Sequence, residues 1–165
     1  MKKIVLTIIC CLFATGAYAG TKPFQLSLTP DVAVHSRDTQ INGVTLNIWG
    51  ENPQHALALG FVNGSNDDSS GVSFGFLANY AQSYKGLEFA WLANYASDNF
   101  SGLQLAAFNY AGNLRGLQLG FINFAQTSQQ GLQIGLINVM AETKTWFTDF
   151  PHAVAPGMVL VNWRF

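Results

Sequence analysis

GLQLGFINFA, Gly116–Ala125, is followed at Gly131 by GLQIGLINVM, Gly131–Met140, and the reading of this pair decides the fold. Related copies start at Gly71, Gly86 and Gly102, so successive starts lie 15, 16, 14 and 15 residues apart. That period is too short for a repeat of helical hairpins and suits one strand plus one turn. A divergent copy, ALALGFVN, precedes them at Ala56–Asn63, and Phe24–Thr29 and Val44–Trp49 alternate apolar and polar residues with the two-residue period of a strand.

Two architectures satisfy this period. If each copy is one strand, the linkers are turns and the chain forms an antiparallel up-and-down meander able to close as a small β-barrel. On that reading Leu117, Leu119 and Phe121 face lipid, while Gln118, Gly120, Ile122 and Phe124 share a lumen filled by side chains of unequal size. FGFLANY and FAWLANY carry one extra residue, which puts Tyr80 and Tyr95 on the face of Phe74 and Phe89 through a β-bulge. If each copy is instead a full coil, three short sides wind a narrow β-solenoid, with Leu119 inside and Gln104, Gln118 and Gln133 stacked as an amide ladder. Nine strands are countable, so an even-numbered barrel needs either a tenth between Ala141 and Pro151 or one fewer near Asn47.

Lys2 and Lys3, an apolar run from Ile4 and the small-x-small site Ala17-Tyr18-Ala19 form a bacterial secretory signal peptide, leaving one β-repeat domain over residues 20–165. Cys10 and Cys11 leave with it, and with them any disulfide or thiolate metal site. The remainder has six basic residues against nine acidic ones, with no basic patch for a phosphate backbone. Only 10% of the chain is charged, where about a quarter is usual. No later apolar run reaches the length of a membrane helix, so strands would have to make any crossing.

Val159, Val161, Trp163 and Phe165 alternate on the closing strand, Gly157–Phe165, which resembles the terminal strand of outer-membrane barrels. That resemblance implies recognition by the barrel-insertion machinery and contact of Trp163 and Phe165 with outer-membrane lipid. The span Gly71–Asn138 resembles bacterial surface-repeat proteins built from Gly-Leu-Gln-Ile-Gly-Leu-Ile-Asn units, and the tail WFTDFP with APGM is similar to their closing region. This implies an envelope location and a β-repeat fold, and brings no activity.

Chemistry-bearing motifs are weak. GVSFG matches the GxSxG pattern, but Ser73 stands where Gln118 stands in its copy, and no helix follows. His35, His55 and His152 are scattered without metal spacing. Asn63, Asn66, Asp67 and Asp68 offer oxygens for calcium without the alternation or closing glutamate of a calcium loop, so a solvated loop is expected. Glu88 occupies a Gln-equivalent position and needs a partner if enclosed, Arg115 or Arg164 being the candidates. Trp49, Trp91, Trp146, Trp163, Tyr80, Tyr95 and Tyr110 suit a membrane interface.

The sequence thus predicts an all-β, non-enzymatic surface or outer-membrane protein without catalytic, cofactor or metal residues. It favours the barrel. The alternative is a soluble periplasmic or secreted β-solenoid binding module.

Overall fold

The computed structural model describes residues 20–165, and the expected signal peptide with Cys10 and Cys11 lies outside the described residues. Ten strands form one continuous sheet: β1 (Lys22–Thr29), β2 (Val32–Ala33), β3 (Ile41–Glu51), β4 (His55–Gly64), β5 (Asp68–Ala81), β6 (Ser83–Ala90), β7 (Ala93–Leu105), β8 (Phe108–Leu119), β9 (Ile122–Met140) and β10 (Gly157–Arg164). From β1 through β3 to β9, each strand pairs in parallel with its successor, whereas a meander would alternate direction. The barrel expectation is therefore corrected. Each repeat is one full coil of a β-solenoid of about eight turns, with no barrel and no helix among the described residues.

Register carries the identity of the repeat from coil to coil. Gly71 pairs with Gly86, Gly86 with Gly102, Gly102 with Gly116 and Gly116 with Gly131. The first four of these glycines have φ between 108° and 140°, a region closed to most L side chains. A methyl group on Gly86, Gly102 or Gly116 would fall on the carbonyl oxygen of the glycine one coil earlier. The linkers mistaken for turns supply the third side of each coil, turning Tyr84, Phe100 and Leu114 inward in one register column. Residues 141–156 form an irregular cap rather than a tenth barrel strand, and the additional short strand is β2.

Alternation does not run unbroken through a copy. The chain bends at Gly120-Phe121 and again at Ala106-Ala107, which resets the inside–outside pattern. Asn123 and Ala125 therefore join Gln118 in the interior, while Ile122 and Phe124 are only partly covered, against the strict two-residue expectation. The extra residue in FGFLANY and FAWLANY is absorbed next to this corner, so that Tyr80, Tyr95, Tyr110 and Phe124 still stack in register.

Both ends reverse direction. β2 pairs antiparallel with β1, and β10 pairs antiparallel with β9, covering the last coil with the buried Asn162 placed against Gln133. The closing strand thus caps a solenoid edge, a position that otherwise invites pairing with another chain.

The glycine column makes a direct prediction. Gly102→Ala should destabilise by on the order of 2–4 kcal/mol through backbone strain and displacement of the neighbouring coil. Gly157→Ala, whose added methyl meets nothing within 4 Å, should be near neutral. Urea unfolding followed by circular dichroism compares the two; equal midpoints would contradict the stacked register.

Candidate functional site

The interior of the coil is polar where a globular core would be apolar. Gln25, Gln104, Gln118, Gln133, Asn123, Asn138 and Asn162 are fully buried, while Leu26, Leu28, Leu46 and Phe61 stand exposed. Fixed register makes this tolerable, because most of these amides meet the same amide one coil away. Asn47 Nδ2 donates to Asn63 Oδ1 at 3.0 Å, and the run continues through Asn79, Asn94, Asn109 and Asn123 to Asn138 at 2.8–3.1 Å. A second ladder runs the other way. Gln133 donates to Gln118 and Gln118 to Gln104, both at 2.8 Å, and Gln104 donates to Glu88 Oε2 at 2.9 Å. Beside the amides, Ala81, Ala96, Ala111 and Ala125 with Tyr84, Phe100, Leu114 and Met140 make the small apolar core.

The amide ladder is the part of the solenoid reading that holds; its placement of Leu119 inside the coil does not. Gln118 takes the interior, and Leu119 lies on the outer face. Packing decides this, since Gln118, Asn123, Ala125 and Ser128 already occupy the narrow lumen of this coil.

Glu88 ends the glutamine ladder without the expected arginine. Arg164 instead pairs with Glu142 at 3.6 Å, and Arg115 is exposed. Among the described residues Glu88 Oε1 has no hydrogen-bond partner. Burial pushes the carboxyl up to about 8, opposed only by the hydrogen bond from Gln104, so at neutral pH it is held largely as the neutral acid, an isostere of glutamine. The buried Tyr84 hydroxyl is also raised, by burial first and by Glu88 second.

Ser73 is enclosed within the amide network. It is buried, donates to Asn79 Oδ1 at 2.8 Å and receives Asn63 Nδ2 at 3.2 Å. His55 Nδ1 bonds Ser70 Oγ at 2.7 Å, away from Ser73. The suggested calcium oxygens do not converge either, because Asn63 belongs to the interior ladder. No group of three His, Cys, Asp or Glu side chains able to hold a metal occurs among the described residues.

What the exterior offers is a face. Leu59, Phe74, Phe89, Leu105, Leu119 and Ile134 stack in register as one ridge, with Phe74 and Phe89 rings 5.0 Å apart. Beyond the corner Phe61, Phe76, Trp91, Phe121 and Leu136 form a second ridge, Trp91 at 77% exposure and Phe121 at 62%. Ala107 stands in this ridge between Trp91 and Phe121, linked to both by backbone hydrogen bonds of 3.3 and 3.0 Å. Between the ridges Gly60, Gly75, Ala90, Ala106 and Gly120 floor a groove of about 740 Å³. None of its lining residues is charged. Of the positions expected to meet lipid, Leu119 and Phe121 line this groove, and Leu117 lies on the same side of the coil, partly covered. Trp163 and Phe165 sit at the cap, where Trp163 donates to Pro151 O at 2.9 Å and the Phe165 amide to His152 O at 2.8 Å.

No protein-family model, curated protein or solved structure matches this chain.

The two ladders generate two expectations. Gln118→Leu strands the Gln133 amide donor and the Gln104 acceptor and should cost about 2–5 kcal/mol. Leu119→Ala, on the partly exposed face, should cost under about 1.5 kcal/mol. Chemical denaturation that ranks Leu119→Ala as the worse substitution would reverse the inside–outside assignment.

Glu88 also gives stability a pH dependence. With its folded value raised to about 8 from the ordinary 4.5, the folded state holds more protons than the unfolded state between those limits. Its contribution is complete below about 4.5 and declines as pH rises through about 8, by on the order of 4 kcal/mol. Glu88→Gln should flatten that decline, measured by urea midpoints from pH 4 to pH 9 relative to the parent chain.

Proposed function

We propose that the protein is an exported, non-enzymatic β-solenoid binding module that acts through its apolar grooved face in the periplasm or at the cell surface. The observation that carries this reading is the groove itself: two ridges of large apolar side chains, repeated coil after coil, with no charge between them. Monomeric proteins rarely leave a contiguous apolar patch beyond a few hundred Å² unless it serves recognition. The buried amides and Ser73, by contrast, are engaged with one another inside the coil, which suits a scaffold better than a reactive centre. The signal-like leader and the low charge support export.

A photo-cross-linking residue at position 121, introduced in producing cells, tests this. Adducts are expected from position 121 and not from position 115, which lies among polar residues on the third side of the coil. Equal yields at the two positions, or none at either, would remove the face from consideration as a binding surface.

A further inference from the structure

We propose that the occupant of the grooved face is a second copy of this chain, docked antiparallel about a two-fold axis passing between the coil of Trp91 and the coil of Ala107. The inference rests on the binding-module reading above and gives it a partner.

The order of the corner ridge carries it. Along the solenoid this ridge reads Leu28, Ile48, Phe61, Phe76, Trp91, Ala107, Phe121, Leu136, with its most exposed aromatic immediately beside its only small residue. An isologous interface requires that if residue i meets j, then j meets i. Reversing the ridge on itself sets Trp91 of each copy opposite Ala107 of the other, a knob facing a notch, and it does so twice. Phe76 then faces Phe121, and Phe61 faces Leu136. The axis falls at the middle of the stretch from Phe61 to Leu136, three coils to either side, and leaves the exposed Ile48 and Leu28 of the two preceding coils beyond the overlap. A parallel or shifted arrangement sets Trp91 against another bulky residue.

The area agrees. About a dozen large apolar side chains on this face each leave roughly half of a surface near 200 Å² uncovered, on the order of 1,000 Å² per copy, against roughly 800 Å² per partner in a stable interface. Lipid is the weaker occupant on charge. Surface-binding helices and patches border their apolar side with Lys and Arg, whereas this groove has no charged residue in its lining, and Lys85 and Arg115 precede the repeat glycines, outside it.

The test uses the full chain with Cys10→Ser and Cys11→Ser. Sedimentation velocity should give twice the 17.9 kDa chain mass, falling to the single-chain mass in Trp91→Glu, with an unchanged far-ultraviolet circular dichroism spectrum as the check on folding. Phe61→Cys with Leu136→Cys in one chain should yield a disulfide-linked dimer on mild oxidation, because five coil steps, roughly 24 Å, forbid an internal bridge. Phe61→Cys alone should yield little. Efficient bridging by Phe61→Cys alone would mean a parallel dimer and overturn the axis. A chain that stays monomeric into the tens of micromolar overturns the dimer, and the remaining results then divide. Adducts at position 121 with flotation on phosphatidylcholine vesicles would make lipid the occupant, and adducts without flotation would indicate a different protein, both leaving the binding-module reading standing. No adduct at 121 would end both readings.

Discussion

A buried side-chain amide has two donors and one acceptor oxygen to satisfy, and leaving one unmade costs as much as several favourable contacts supply. This chain meets that demand by repetition. Because the coils stack in register, Gln118 and each ladder asparagine from Asn63 to Asn123 find an amide counterpart directly above and below, and each of these also reaches a backbone carbonyl, as Gln118 does with Phe124 O at 3.3 Å and Asn123 with Ile134 O at 3.0 Å. The positive-φ glycines, the alanine column and the placement of the leucines outside all depend on it. A slip of one residue would turn leucine into a lumen that has no room for it and would separate every amide from its acceptor.

Much of the architecture was legible in the sequence, but not its orientation. Period, all-β class and amide ladder follow from the Gly-Leu-Gln copies, and Ser73, Glu88, Gln104, Gln118 and Gln133 do occupy one column. Parallel and antiparallel stacking, however, write the same alternation within a strand. The distinction lay in the linkers, where Tyr84, Phe100 and Leu114 are the sparse signs of an inward-facing third side. Composition pulled the other way, since a low-charge surface with apolar residues outside is also what a lipid-embedded barrel displays. The closing strand misled for a related reason: its alternation serves to place Asn162 inward over the last coil, and any edge strand with one covered face shows the same pattern.

The candidate site was half visible. Leu119 and Phe121 were picked out as outward-facing, and both line the groove. The groove's floor was not readable, because it depends on the corner at Gly120 and on Gly60, Gly75, Ala90 and Ala106 arriving at the same corner from other coils. Nor was the notch at Ala107, which has meaning only beside Trp91 and Phe121 in adjacent coils.

The opposed sense of the two amide ladders has an electrical consequence. Every Asn in its run donates toward the C-terminal end, and every Gln in its run donates toward the N-terminal end. Their dipoles therefore oppose one another in the coils that both runs share, and the interior builds up less of the macroscopic polarity that aligned peptide groups give a helix. The two ends of the solenoid can accordingly be closed by neutral groups: Gln25 bonded to Asn52 at one end and Asn162 bonded to Ala155 O at the other. A stack built this way can gain or lose a coil without changing the electrostatic demand on either terminus.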